Sequence, residues 1–428
     1  MDAIGIIAAL LFGFGYLLIT LEQRIGTHKS ALALCMGAIL WVLAALKLQD
    51  QPDVLDHAIE LAGSEIFGIV AFLLGAMALI EILVHYRLFD LVRAKLIKLN
   101  VSDPQQFLMI MILTFFFSAV LDNIAITIVM LQIARRFFTG KNMLIAAAGI
   151  VIAANAGGAW SPIGDITTIL LWLADKFTAT EVIRYTFVPA FALFVTSTAL
   201  LYRKLEDDGY TKREEGDLVA LSLSERAIVS TALFSFTLPL FMSTVGLPPY
   251  MGLLFGLGLT WLMIEVAKRK SRHEHKTHMT ADIERLLRSV DLSSIKFIIG
   301  ILLSVSALAT IGILSFISVT ALGSNPTDSQ IIGASIAIGI FSSVVDNASL
   351  VAMAIDVLPT NDPELWSLLA LTAGTGGSIF VIASAAGIVA MGSYKQLTFQ
   401  NYFKVATFPA IAGFAIGVAT WLLQYSIL

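Results

Sequence analysis

From end to end the chain alternates long apolar runs with short polar interruptions. Runs of about 18 to 28 residues are long enough for helices to cross the roughly 30 Å of hydrocarbon in a bilayer, and they lack the two-residue alternation of barrel strands. They predict helices near Ile4–Leu21, Ser30–Leu48, Leu61–Tyr86, Met143–Ala174 and Val182–Tyr202, then near Ser224–Ser243, Tyr250–Ala267, Leu292–Leu322, Leu365–Met391 and Asn401–Leu423. Met143–Ala174 and Leu365–Met391 contain glycine-rich polar stretches and are read as broken helices. Two segments fit neither pattern: Gln105–Phe138 and Gln330–Leu358 each carry an Asp-Asn pair near the middle. From Asn347 to Pro359 there are too few residues to cross at about 1.5 Å rise per residue. Both segments are therefore read as re-entrant helical hairpins with polar tips.

The two tips are copies of one string. Phe117-Ser118-Ala119-Val120-Leu121-Asp122-Asn123 recurs as Phe341-Ser342-Ser343-Val344-Val345-Asp346-Asn347. Phe177-Thr178 through Arg184 and Pro189-Ala190 likewise match Leu397-Thr398 through Lys404 and Pro409-Ala410 at one constant offset. A duplication follows, with residues 1–203 as the first repeat, 204–223 as a linker and 224–428 as the second repeat, which holds a hydrophilic loop at 268–291. The predicted fold is an all-α polytopic membrane protein of two repeats, each with five transmembrane helices and one re-entrant hairpin. An odd number of crossings turns the second repeat upside down. Loop charges agree, since one side collects nearly every Lys and Arg while the other has only Lys47, Lys176 and Arg184. By the positive-inside rule the rich side is cytoplasmic, which puts both termini outside and the linker and the 268–291 loop inside. Inverted repeats with broken helices meeting near the midplane are the architecture of secondary transporters.

Composition sharpens this reading. Hydrophobic residues make up 57% of the chain and charged residues 14%, against roughly 25% charged in soluble domains. Aspartates inside such segments are functional candidates by default, because mid-membrane insertion of Asp costs roughly 2.5–3.5 kcal/mol. The first run follows Asp2 rather than a basic region and has no small-residue cleavage site, so it is read as a retained helix. Cys35 is the only cysteine, which rules out an intrachain disulfide. The net charge of -4 decides nothing, and no nucleic-acid partner is expected.

Four interruptions should converge on one site. The tips supply Asp122, Asn123, Asp346 and Asn347, the first broken helix supplies Asn155, Asp165, Thr167 and Thr168, and the second supplies Thr375, Ser378 and Ser384. Glycines and Pro162 free backbone carbonyls, which at that depth need a cavity or an ion. Such carbonyls with Asp, Asn, Thr and Ser oxygens suit a hard cation such as Na+, while an anion would call for basic residues that these breaks lack. A carboxylate in low dielectric holds its proton to higher pH, so Na+ and H+ can compete for it. Asp122, Asp165 and Asp346 are the candidates for that exchange. Na+ is assigned to Asp122, Asp165, Asn155 and Asn347, with the site leaning toward the first half because only there does a third aspartate join.

Bland explanations compete at each position. Asp-Asn pairs also cap helices, threonines bond back to their own turn, and Ser342 and Ser384 could serve packing. Glu65, Glu81 and His85 share the third helix and are read mainly as interfacial or paired groups, with Glu65 and Glu81 as a possible proton path. His273, His275 and His278 suggest a metal or pH sensor but fit a solvated loop better.

Where Ser-Ala-Val-Leu-Asp-Asn-Ile-Ala-Ile-Thr meets Asn-Ala-Gly-Gly-Ala-Trp-Ser-Pro-Ile-Gly-Asp-Ile-Thr-Thr-Ile, the chain resembles the NhaD-type sodium/proton antiporters of the ion transporter superfamily. The resemblance spans nearly the whole chain. It implies export of Na+, with Li+ as a second candidate ion, in exchange for protons across a bacterial inner membrane, most actively at alkaline pH. A homodimer and the absence of any cofactor are implied with it. By motif it assigns roles to Asp122, Asn123, Asn155, Asp165, Thr167, Thr168, Ser342, Asp346, Asn347 and Ser384. Val381 departs from the pattern, standing where a serine is expected. Two readings compete with the antiporter: a sodium-coupled anion or arsenite carrier of the same superfamily and, more remotely, an intramembrane aspartyl protease using two aspartates as acid and base.

Overall fold

The computed structural model describes residues 2–99, 101–206, 221–271, 290–381 and 383–427, and every regular element among them is helical. The first half comprises α1 (Ala3–Thr20), a short α2 (Glu22–Ile25), α3 (Lys29–Lys47), α4 (Pro52–His85) and α5 (Leu88–Lys98). It continues with the hairpin α6 (Asp103–Ser118) and α7 (Asn123–Ala134), the broken pair α8 (Gly140–Gly158) and α9 (Ile166–Leu173), and α10 (Ala179–Tyr202). The second half follows the same order. It runs through α11 (Leu223–Ser235) with α12 (Leu238–Thr244), α13 (Pro249–Ser271), α14 (Leu292–Ile311) with α15 (Ile313–Leu322), and the hairpin α16 (Asp328–Phe341) and α17 (Asn347–Val357). The broken pair α18 (Pro363–Gly376) and α19 (Ala385–Ser393) comes next, then α20 (Phe399–Tyr402), a π turn (Phe403–Thr407) and α21 (Phe408–Ile427).

Among the described residues, nine helical stretches are long and apolar enough to cross a membrane. The chain is an all-α polytopic membrane protein. The hairpin arms are not among those nine: they have 16, 12, 14 and 11 residues, which gives about 17 to 24 Å at the helical rise. Capping explains where the arms begin. Ser102 with Gln105 opens α6 and Thr327 with Gln330 opens α16, each as a capping box that satisfies orphan amides at the helix start.

The structure departs from the expected elements in four places. Helix α4 begins at Pro52 rather than Leu61, since a proline in the first turn needs no amide partner. The basic stretch after Tyr86 forms α5, whose Phe89 and Leu96 are buried one heptad apart while Lys95 and Lys98 sit at its C-terminal end. The expected helix Ser224–Ser243 breaks just before Pro239, which cannot donate to the helix ladder. The expected Leu292–Leu322 breaks at Gly312, whose φ of 87° is left-handed. The loop with His273, His275 and His278, like most of the 204–223 linker, lies outside the described residues.

Packing places the broken helices at the centre. In α8, 83% of the spanning window is buried, against 22% in the peripheral α1. The contacts of the two halves correspond: α3 packs on α14 as α13 packs on α4, α6 packs on α8 as α16 packs on α18, and α10 packs on α21. The hairpin-to-core contacts are backbone-close. A Cβ at Gly157 would strike the Phe115 carbonyl, and one at the equivalent Gly376 would strike the Gly339 carbonyl. Only glycine allows that approach, and it brings the first arm of each hairpin against its broken helix. One asymmetry remains, for α6 and α7 pack on each other whereas α17 packs on α9, α14, α15 and α18.

Candidate functional site

Each interruption presents the start of a short helix to the protein centre, and a polar residue stands at each start. Asp122 caps α7, its Oδ2 accepting from the Ile124 and Ala125 amides at 3.1 and 3.3 Å. Asp346 caps α17, its Oδ2 accepting from the Ser349 amide at 3.0 Å and from Ser349 Oγ at 2.8 Å. The capping explanation is thus realised at both tips. Asp165 begins α9 and is buried, with Oδ2 accepting from Thr167 Oγ1 at 3.0 Å. Ser384 holds the matching position at the start of α19 and accepts from the Gly387 amide at 3.3 Å. A carboxylate in one broken helix therefore faces the role of a hydroxyl in the other.

Asn155 joins the pieces. Its Nδ2 donates to Ser378 Oγ at 2.8 Å and Ser384 Oγ at 2.9 Å, while its Oδ1 accepts from Asn123 Nδ2 at 3.2 Å. One fully buried side chain thereby ties the first tip to both broken helices. Beside this hub lies a chamber of about 30 Å³ lined by Asn123, Asp165, Asp346 and Asn347, together with Lys29 and Phe297. That is room enough for a water molecule or a small cation. Four of the expected site residues meet there. Asp122 sits next to them, within electrostatic reach of Asp165.

Other expected residues serve the framework. Ser342 Oγ donates to the Gly339 and Ala373 carbonyls at 2.8 and 3.0 Å, and Ser118 Oγ does the same to the Ala154 carbonyl at 2.6 Å. These bonds pin each hairpin to its broken helix. Thr168 Oγ1 donates to the Asp165 carbonyl at 2.8 Å, and Thr375 Oγ1 to the Leu371 carbonyl at 2.6 Å. Asn347 Oδ1 accepts from the Ala348 amide at 3.0 Å. Val381, in place of the expected serine, is buried with a left-handed φ of 65°.

Two vestibules approach the chamber. One, of about 420 Å³, is lined by Tyr16, Glu22 and Val344 and shares Lys29, Phe297 and Asp346 with the chamber. The other, of about 460 Å³, holds Glu65 and Asp356. Between that second vestibule and the site lies a seam of Leu170, Ile298, Leu302, Ala348 and Ala352 with space for only about 10 Å³. Glu65 is exposed in its vestibule, and Glu81 lies half-buried farther along α4, where His85 stacks edge-on against Tyr86 at 5.1 Å.

Residue reading missed Lys29 and Phe297 and gave Gly374 no role beyond the helix break. Gly374 occupies in α18 the place of Asn155 in α8, and a Cβ there would lie 3.2 Å from both Asp165 Oδ2 and Thr167 Oγ1. Its bareness keeps the space beside the carboxylate open. Gly374→Ala is expected to weaken transport by about tenfold, roughly 1.4 kcal/mol at the site, with folded protein accumulating normally. Half-saturating ion concentrations in vesicles check it, and an unchanged value would show that this space is not used.

Comparison with known proteins shows the family. The model of the family described as citrate transporter matches residues 16–387. Sodium/proton antiporter 2 of Arabidopsis thaliana is 36% identical over 97% of this chain and 98% of its own length. The Na(+)/H(+) antiporter NhaD of Alkalimonas amylolytica is 30% identical over 98% of this chain and 91% of its own. The chain belongs to the NhaD-type sodium/proton antiporter family. A second plant member, Sodium/proton antiporter 1 of Arabidopsis thaliana, is 35% identical over 98% of the chain and 72% of its own length. Membership of this NhaD-type family makes the chain a multi-pass membrane transporter.

Proposed function

We propose that the protein exchanges Na+, and Li+ with it, for protons by alternating access, with Asp165 as the carboxylate that binds either ion. The observation that carries this reading is the chamber, in which Asp165, Asn123, Asp346 and Asn347 surround a space for one small cation. Thr167 orients the Asp165 carboxylate and the Asn155 hub holds the walls. When the carboxylate is charged, Na+ is favoured; when it is protonated, that charge is gone and the site can return without metal. Asp122 and Asp346 supply negative potential beside it. Because each caps a helix, their oxygens are fixed in place and the tips stay rigid around the ion.

The two halves act as inverted repeats, with both termini outside and the Glu22–Lys29 vestibule on the cytoplasmic side. Corresponding contacts in the two halves and the loop charges support that topology. The site then faces the cytoplasm, closed to the outside by the Leu170–Leu302 seam. A bacterial inner membrane, a homodimer and the absence of a cofactor complete the reading, with Glu65 and Asp356 gathering protons in the outer vestibule.

Citrate or another organic anion is the competing substrate suggested by the family description. The chamber disfavours it, having about 30 Å³ and four acidic or amide side chains against a single lysine. Everted vesicles holding a respiration-driven pH gradient separate the two. Antiport predicts that Na+ or Li+ collapses the gradient and that K+ and citrate leave it intact. Citrate uptake, with no response to Na+, would replace the antiporter by an anion carrier.

A further inference from the structure

The passage between the cytoplasmic-side vestibule and the chamber is formed by three side chains that line both spaces: Asp346, Phe297 and Lys29. Lys29 is the one basic residue on either wall. Its Nζ lies 4.5 Å above the centre of the Phe297 ring, in the position of a cation–π contact. Among the described residues it makes no ion pair, although Glu22 and Asp346 line the same vestibule and Asp165 lines the chamber.

Its placement is fixed by the packing of α3 against α14. Lys29 opens α3, and its amide donates to Glu22 Oε1 at 3.3 Å. The next residue, Ser30, donates to the Ser293 carbonyl at 2.9 Å, and His28 Nε2 lies 3.2 Å from Ser293 Oγ. Farther along, a Cβ on Gly300 would run into the Ala33 and Leu34 backbone, so α3 and α14 touch main chain to main chain. The start of α3 is thus held against the turn of α14 that carries Phe297.

We infer that Lys29 is a tethered competitor cation at the neck of the site, parked on the Phe297 ring, which sets the affinity for Na+ from the cytoplasmic side. A fixed ammonium beside the carboxylates repels an arriving Na+ and partly replaces it when the site is empty. The ring holds the ammonium to one side, so the neck stays passable. Lys29 is a positioning residue here: it acts on the ion through the field at the neck, not as a ligand.

This inference rests on the antiport reading, and the test keeps the two apart. Na+-induced collapse of the pH gradient is titrated in everted vesicles with wild type, Lys29→Gln, Lys29→Arg, Phe297→Leu and the Lys29→Gln/Phe297→Leu pair. Lys29→Gln is expected to lower half-saturating Na+ about tenfold without raising the maximal rate, and Lys29→Arg to stay near wild type. Phe297→Leu frees the ammonium to approach Asp346 and is expected to raise half-saturating Na+ several-fold, an effect that vanishes in the paired variant. A purely structural lysine would change the yield of protein and leave half-saturation where it is. Should Lys29→Gln fail to accumulate, the rise in Phe297→Leu alone carries the test. Unchanged half-saturation in both single variants, with a normal wild-type response, overturns the inference; no wild-type response to Na+ overturns the antiport reading instead.

Discussion

Asp165→Asn is expected to abolish Na+-dependent proton movement, with a loss of at least about 100-fold, or about 2.7 kcal/mol in the barrier. The substitution keeps the shape of the side chain and leaves an oxygen to accept from Thr167 Oγ1, now 3.0 Å from Asp165 Oδ2. What disappears is the charge and the titration. Without them the site neither pulls Na+ out of water nor returns with a proton in its place. Ser384, the counterpart of Asp165 in the second broken helix, provides the control. Ser384→Ala removes one of the hydroxyls that receive Asn155 and is expected to slow transport by less than tenfold, since the carboxylate stays. Everted-vesicle assays with matched protein levels check both. Appreciable exchange by Asp165→Asn would move the exchanging group elsewhere, to Asp122 or Asp346.

Asn155→Ala is the second large effect. Asn123 and Ser378 lose their partner at once in a buried place, and Ser384 keeps only the Gly387 amide. Each buried polar group left unpaired costs about 1–3 kcal/mol. The first tip and the second broken helix are also set free of each other, so the chamber loses its shape along with its stability. The expected outcome is an unfolding temperature lower by several degrees together with transport down by more than tenfold. Asn155→Ser, which can still donate one hydrogen bond, should recover part of the stability and little of the transport. Wild-type transport in Asn155→Ala would mean that the hub is packing only.

Much of this was legible in the sequence because membranes impose strict rules on it. Long apolar runs, hairpin arms too short to cross and breaks at glycine follow from backbone groups that lipid cannot satisfy. The repeated Asp-Asn string marked both tips, and Asp165 stood out as a charge in oil. Other features depend on three-dimensional contact and left no local trace. The preference of Ser342 for the Gly339 and Ala373 carbonyls over the chamber follows from how closely α16 approaches α18. Gly374 reads as one glycine among many until Asp165 is seen against it. Lys29 looked like one more cytoplasmic charge, because loop lysines report orientation in bulk and only the α3–α14 seam brings this one to the neck. Helix α5 had a signal, the Phe89 to Leu96 spacing, but its basic residues masked it.

The central claim is that Na+ and H+ occupy the same carboxylate in turn. The direct measurement is proton release from the purified protein on adding Na+, followed calorimetrically in buffers of different ionisation enthalpy across pH. The account predicts release of at least one proton per Na+ bound where the carboxylate is protonated, apparent Na+ affinity rising about tenfold per pH unit for each proton displaced, and loss of the release in Asp165→Asn. Na+ binding that releases no proton at any pH, or release that persists unchanged in Asp165→Asn, would contradict it.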